Sequence, residues 1–195
     1  YGMMNFMKVG IAYADLITTV SPTYAREIQE SKEFGYGLEG VLRERSGSLT
    51  GILNGIDDEI WNPETDRLIA APYSASYLSA KLQNKKALLK RFELDQVHTD
   101  WPLLAMISRI DVQKGFDLVV SILDYLLSKD LYFVLLGSGN KETEGYLRTI
   151  IERHRGKAGM RFEFDNGSAH ITEAGADVFL MPSKYEPCGL NQMYS

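Results

Sequence analysis

Near the C-terminus, Glu186-Pro187-Cys188-Gly189-Leu190-Asn191-Gln192 follows directly on the apolar run Asp177-Val178-Phe179-Leu180-Met181-Pro182-Ser183. This order places a carboxylate and several backbone N–H groups at the carboxyl end of a predicted β-strand, where ligands bind in open α/β sheets. Earlier in the chain, Ser108-Arg109-Ile110-Asp111-Val112-Gln113-Lys114-Gly115 makes the same strand-to-helix crossing and brings two cations, Arg109 and Lys114. A guanidinium fork, an ammonium and the first turn of a helix together suit a diphosphate. Gly115 would let a ligand approach the backbone closely. The Glu186 carboxylate suits sugar hydroxyls, and the amides of Gly189 and Leu190 suit oxygens of the same ligand. One carboxylate and two cations at two strand ends is chemistry for a sugar joined to a diphosphate. Blander readings stay open at this point: Arg109 and Lys114 as surface cations, Glu186 as an acidic N-cap ahead of a helix that Pro187 begins.

Other residues signal less. Gly137-Ser138-Gly139 ends a predicted strand and permits either a tight βα turn or close backbone approach to a ligand, two readings that are compatible. Phe164, at the end of another strand, could stack on a nucleobase or simply fill the core. Cys188 has no histidine near it in sequence, which favours packing or a sugar-adjacent role over nucleophilic chemistry. His170 reads as structural, and His98 and His154 carry no signal. Three scattered histidines and one cysteine give no zinc spacing, so no metal is expected. No Walker lysine, Ser-His-Asp arrangement or G-x-G-x-x-G fingerprint occurs.

These residues need elements to hold them. Residues 3–14 read as an apolar helix, with Phe6, Met7, Ile11 and Ala14 near helical spacing. Leu16–Val20 is a strand, and Ser21-Pro22 opens a helix through about Gln29, with an N-cap followed by proline at the first helical position. A loop-like stretch leads to strand 49–55, which ends in an Asn54-Gly55 turn. Residues 57–100 change character: Trp61-Asn62-Pro63 and Pro72 punctuate them, and a helix over 76–92 carries Lys81, Lys85, Lys86, Lys90 and Arg91, read as a solvated face. From Trp101 onward strands at 103–107, 131–136, 159–164 and 177–181 alternate with helices at 113–129, 141–155 and 168–174. Alternation of that kind predicts a parallel, Rossmann-like sheet with right-handed crossovers.

Composition sets outer limits. The 195 residues are 45% hydrophobic and 24% charged with net charge −5, ordinary for a globular protein. No basic footprint points to nucleic acid. One cysteine forms no intramolecular disulfide. No apolar run approaches the length of a membrane span and no basic-then-apolar pattern is read, so neither a membrane span nor secretion is expected. Tyr1 falls inside a predicted helix and Ser195 about one turn into another, as in a piece of a longer protein.

Taken together, ADLITTVSPTYAREI (14–28), GILNGIDDEIWNPETD (51–66), SRIDVQKGFDL (108–118), LLGSGN (135–140) and AGADVFLMPSKYEPCGLNQ (174–192) resemble the bacterial glycogen synthase and plant starch synthase family. The resemblance runs over nearly the whole chain. It implies the GT-B glycosyltransferase architecture: residues 1–55 as the tail of an N-terminal domain, 56–100 as the interdomain connection, and 101–195 as most of a nucleotide-sugar-binding domain. It also implies retaining transfer of glucose from ADP-glucose, or UDP-glucose in some members, to the non-reducing end of an α-1,4-glucan, with no cofactor. Arg109 and Lys114 then fall on cations that hold the diphosphate. Glu186 falls on the carboxylate near the donor glucose, with Cys188, Gly189 and Leu190 beside it, Ser138 and Gly139 in the donor loop, Phe164 near the adenine, and Asn54 facing the cleft.

The family's Lys-Thr-Gly-Gly-Leu segment and a later Thr-Gly-Gly loop are not in this sequence, so these residues alone are expected to be inactive. Thr172 is expected to weaken packing slightly on an otherwise apolar turn. The compartment would be cytoplasm in a bacterium or plastid in a plant, and the oligomeric state is open. Two rivals stand beside this reading: a UDP-glucose-dependent sucrose or trehalose-type synthase, and a non-catalytic module that only binds nucleotide sugar. Tyr194 counts against the first, because those enzymes more often show Glu-x7-Glu from the position of Glu186.

Overall fold

The computed structural model describes residues 4–163 and 165–195. The chain divides into two compact units, one holding the chain up to Gly55 together with Glu186–Leu190, the other Ile56–Tyr185 with Asn191–Ser195.

In the first unit the elements are α1 (Phe6–Tyr13), β1 (Ile17–Thr19), α2 (Pro22–Glu30), α3 (Lys32–Gly35), α4 (Glu39–Glu44) and β2 (Leu49–Gly51). Strands β1 and β2 pair in parallel, Ile17 opposite Leu49. Helix α2 begins as its sequence predicts: the Ser21 hydroxyl accepts the Tyr24 amide at 2.9 Å, and Pro22 occupies a position whose N–H would have no partner. Its Ala25 and Ile28 turn inward, one helical turn apart. Helix α1 falls within the apolar helix expected over residues 3–14. None of its residues is buried, and Phe6 and Tyr13 are exposed.

In the second unit α5 (Lys81–Arg91) precedes β3 (Leu103–Ile107), α6 (Phe116–Leu127), β4 (Tyr132–Leu136), α7 (Lys141–Arg153), β5 (Ala158–Arg161), α8 (Asn166–Gly175), β6 (Val178–Phe179) and α9 (Asn191–Tyr194). The sheet is parallel with strand order β5-β4-β3-β6, Leu103 opposite Tyr132 and Leu104 opposite Val178. Side chains alternate between its faces, as the two-residue strand period requires. Leu103, Ala105, Tyr132, Val134 and Leu136 meet Leu88 and Leu89 of α5 and Ile171 of α8 on one face. On the other face Met106, Phe133 and Leu135 meet Phe116, Val119, Leu123 and Leu127 of α6 with Leu147 and Ile150 of α7. The buried helix positions 116, 119, 123 and 127 follow helical periodicity.

Moving from β3 to β4 to β5 the chain advances in one direction, and from β5 it returns to place β6 on the far side of β3. With right-handed crossovers this reversal puts α6 and α7 on one face and α8 on the other. The topological switch point therefore lies between β3 and β6, whose carboxyl ends lead into Ser108–Gly115 and Leu180–Tyr185.

Residues 56–100, read above as the interdomain connection, lie in the second unit, where α5 packs on α8. The α5 cations are not all solvated, which corrects one expectation. Lys85 is 6% exposed and its ammonium donates to Asp177 Oδ2 and to the Trp101 carbonyl, both at 2.6 Å. Lys81 donates to the Ala174 carbonyl at 2.7 Å, and Arg91 to Ser168 Oγ at 2.6 Å. Helical spacing by itself does not say that a lysine's face meets the end of another helix. Asn84, fully buried on the same helix, accepts the amides of Ala70 and Ala71 at 2.8 and 2.9 Å and donates to the Ala71 carbonyl at 2.8 Å, fixing the irregular segment ahead of α5. Thr172 also corrects an expectation. It is 0% exposed but its hydroxyl donates to the Ser168 carbonyl at 2.6 Å, so the buried polar atom is satisfied and packing is not weakened. His170 is structural as read: its Nδ1 shares a 2.6 Å hydrogen bond with Asp66, and Trp61 stacks on its ring at 3.9 Å.

Candidate functional site

Strand β3 delivers Ser108-Arg109-Ile110-Asp111 to the carboxyl edge of the sheet, and a single 3-10 turn over Val112–Lys114 joins it to α6. Lys114 therefore stands just before the helix rather than in its first turn. Asp111 sets this geometry: its Oδ1 accepts the Lys114 amide at 3.1 Å, and its Oδ2 lies 3.6 Å from Arg109. The Arg109 side chain is 73% exposed, and Nη2 reaches Gln113 Oε1 only at 3.5 Å. Contacts that long hold the guanidinium weakly, so it can swing onto an anion at small cost.

Gly115 adopts φ 73°, and a Cβ built there would come within 2.1 Å of the Pro182 carbonyl oxygen. The glycine is required, but by Pro182, just past β6, rather than by a ligand. Gln113 ties the same two segments: its carbonyl accepts the Lys184 amide at 2.9 Å, and Lys184 pairs with Asp117 at 2.9 Å. That ammonium holds the Asp117 carboxyl below its ordinary pKa. Beyond the Glu186–Leu190 segment, Asn191 donates to the Ile107 carbonyl at 2.8 Å. The residues on either side of that segment are thus fastened within the second unit at the switch point of the sheet.

The Gly137-Ser138-Gly139 turn packs on the loop after β3. Ile110 donates to the Ser138 carbonyl at 3.0 Å, Asn140 donates back to the Ile110 carbonyl at 2.9 Å, and a Cβ on Gly139 would meet that carbonyl oxygen at 2.3 Å. The Gly139 amide donates to the buried Glu144 carboxylate at 2.9 Å. That hydrogen bond, and then Lys141, lowers the Glu144 pKa. The amide is occupied, while the Ser138 side chain stays exposed beside it. Phe164 lies outside the described residues.

In the first unit Asn54 Nδ2 donates to the Cys188 carbonyl at 3.4 Å, so these two predicted residues meet. Cys188 is a free, half-buried thiol; Gly189 is buried and Leu190 exposed. Glu186 is half-buried, and α9 begins only at Asn191, so Pro187 opens no helix and Glu186 is not an N-cap. Among the described residues, no group of three or more His, Cys, Asp or Glu side chains could hold a metal ion, and no helix is long and apolar enough to cross a membrane.

Four residues that shape this edge were not singled out from sequence: Asp111, Gln113, Glu144 and Asn191. Asp111 had a local signal, since an aspartate three residues ahead of Lys114 is the spacing of a capping turn. The partners of Gln113 and Asn191 lie about 70 to 85 residues away, and no local pattern reveals them.

A parallel sheet with helices on both faces and chemistry-bearing loops at its switch point is the arrangement of a doubly wound ligand-binding domain. The catalytic domain of starch synthase IV from Arabidopsis thaliana, solved with ADP and acarbose, aligns with 96% of this chain at TM-score 0.87 and 36% identity, covering 38% of that protein. Sucrose-phosphate synthase from Thermosynechococcus elongatus aligns with 96% of the chain and 40% of that protein at TM-score 0.58 and 17% identity, a likeness of fold alone. The fold is therefore the parallel-sheet α/β fold of GT-B glycosyltransferases.

A family model described as the starch synthase catalytic domain matches residues 1–44. Glycogen synthase from Koribacter versatilis is 51% identical over all 195 residues. Over its whole length the chain is similar to glycogen synthases, and over 96% of it to a starch synthase. It spans about 40% of the length of the Koribacter versatilis relative.

Proposed function

We propose that this chain serves a glycogen or starch synthase that moves glucose from ADP-glucose to the non-reducing end of an α-1,4-glucan with retention of configuration. The observation that carries this reading is the 51% identity to a glycogen synthase across every residue of the chain. The solved relative that holds ADP and acarbose favours an adenine nucleotide and an oligosaccharide.

In this reading Arg109 and Lys114 bind the diphosphate. Departure of ADP leaves negative charge on the β-phosphate, and cations at the strand edge stabilise it. Asp111 orders that edge by accepting the Lys114 amide. Its 3.6 Å contact with Arg109 is loose enough to be exchanged for phosphate. The occupied amide of Gly139 supports a turn-shaping role for that residue, with Ser138 as the group of this loop that meets the donor. Glu186 and the amides of Gly189 and Leu190 serve the glucose, whose oxocarbenium-like transition state needs nearby acceptors. Asn54 supports this segment through the Cys188 carbonyl. No residue is assigned as a covalent nucleophile, so the acceptor hydroxyl attacks from the face that the phosphate leaves, and the phosphate oxygen takes its proton. The donor is the substrate, and no cofactor enters.

Calorimetry of the chain with ADP-glucose and with UDP-glucose tests the donor, and incorporation of radiolabelled glucose into glycogen, by a chain of the relatives' length, tests the reaction. Tighter binding of ADP-glucose together with incorporation is expected. Incorporation from UDP-glucose alone, or none from either donor, would overturn the proposal.

A further inference from the structure

A cavity of about 370 Å³ opens between the first turns of α6 and α7, on the sheet face opposite α5 and α8. Arg109, Lys114, Ser138 and Gly139 do not line it. Its walls are apolar: Val112, Phe116, Val120 and the ring of Tyr146. Val112 is 61% and Tyr146 50% exposed. Apolar surface gathered in a concavity of this volume is the usual setting of a small-ligand site.

The rim defines what fits. Asp111, Asp117 and Glu142 stand around the opening, together with Asn140. The rim carboxylates disfavour phosphate as the ligand of this cavity. Asp117 is matched inside the protein by Lys184 at 2.9 Å, whereas Arg109 approaches Asp111 only at 3.6 Å. Glu142 and a loosely paired Asp111 give the rim less charge than a polycation needs. Asn140 uses its Oδ1 on the amide and hydroxyl of Thr143, at 2.9 and 3.1 Å. Its side-chain N–H groups remain as donors, the Glu142 carboxylate as an acceptor, and the Tyr146 hydroxyl as both.

One aromatic face, one acceptor and one donor set without net cationic character match a neutral polyhydroxylated ring. The C–H face of a pyranose packs on the negative face of an aromatic, while its equatorial hydroxyls reach carboxylate and amide.

We propose that the α6–α7 cavity is a second carbohydrate site, which takes a short neutral oligosaccharide and holds a glucan chain away from the donor edge. Tyr146 supplies the stacking platform, Glu142 and Asn140 the hydroxyl contacts. The choice of an α-1,4-glucan among neutral oligosaccharides rests on the function proposed above.

Calorimetry of the chain with maltohexaose, cellohexaose and spermidine, with ADP run in parallel, tests the assignment. Maltohexaose should bind, Tyr146→Ala should weaken it about tenfold, Glu142→Gln about threefold, and Tyr146→Phe should retain it. Both side chains are exposed, so circular dichroism should report a native fold in each variant. ADP affinity should be the same in all of them, so a failure of the donor reading would appear in the ADP titration alone. No saturable maltohexaose binding, or unchanged affinity in Tyr146→Ala, overturns the site. Spermidine binding that depends on Tyr146 overturns its neutral character, and equal affinity for cellohexaose overturns the glucan.

Discussion

Replacing Gly115 by alanine separates two roles that the sequence left joined, close approach by a ligand and close approach by the protein. The residue sits at φ 73°, where a side chain costs about 1 kcal/mol relative to glycine. The added Cβ would stand 2.1 Å from the Pro182 carbonyl oxygen, so either the backbone past β6 or the turn ahead of α6 must shift by more than an ångström. Overpacking of that kind costs roughly 1–3 kcal/mol. The total, about 2–4 kcal/mol, is a large share of the stability of a domain of this size. Urea unfolding followed by far-UV circular dichroism should show the midpoint falling with little change in slope. Binding of ADP by the fraction still folded should weaken less than tenfold, because the variant disturbs the cation-bearing turn only indirectly. Unfolding within 0.5 kcal/mol of the parent, together with selective loss of ADP binding, would refute the packing argument and return Gly115 to the ligand.

Three further outcomes follow from the same structure. Lys85→Ala removes two 2.6 Å charge-assisted bonds and leaves Asp177 and the Trp101 carbonyl short of a donor; because Asp177 keeps some contact with water, a loss of about 2–3 kcal/mol is expected by urea denaturation, with Lys85→Met losing less. Glu173, whose pKa burial pushes up to about 7, favours the protonated form in the folded chain. Its contribution is therefore complete below the ordinary glutamate range near pH 4.5 and is lost as pH rises through about 7, and Glu173→Gln should remove that fall from a plot of thermal midpoint against pH. Lys114→Ala should weaken ADP binding at least tenfold, since it removes the ammonium and keeps the backbone amide that Asp111 accepts; equal ADP affinity in calorimetry would remove the ammonium from the diphosphate.

Much of the local architecture was legible before the structure. Strand β3 falls on the predicted 103–107, α7 begins at the predicted residue 141, and the start of α2 carries its cap in Ser21. Signals of this kind lie within one turn or one strand and depend on backbone geometry alone. Short elements were read too long: β2 ends at Gly51 and β6 spans only Val178–Phe179, because an apolar run continues where pairing partners stop. The 3-10 turn ahead of α6 was merged with the helix because its apolar pattern runs on, although Asp111 three residues ahead of Lys114 has the spacing of the cap that accepts the Lys114 amide.

The sequence by itself determined which chemical groups reach the strand ends: period and punctuation place Arg109, Lys114, Ser138 and Glu186 after apolar runs, and the motif order carries the family. Tertiary structure decided what each group has left to offer. Lys85, charged and in a helix of lysines, is consumed inside the second unit, and the Gly139 amide goes to Glu144. Gly115 turns out to make room for Pro182. The physical reason is common to all three. A hydrogen bond or a close contact depends on distance in space, and partners far apart in the chain, such as Lys85 and Asp177, leave no periodicity from which the pairing could be read.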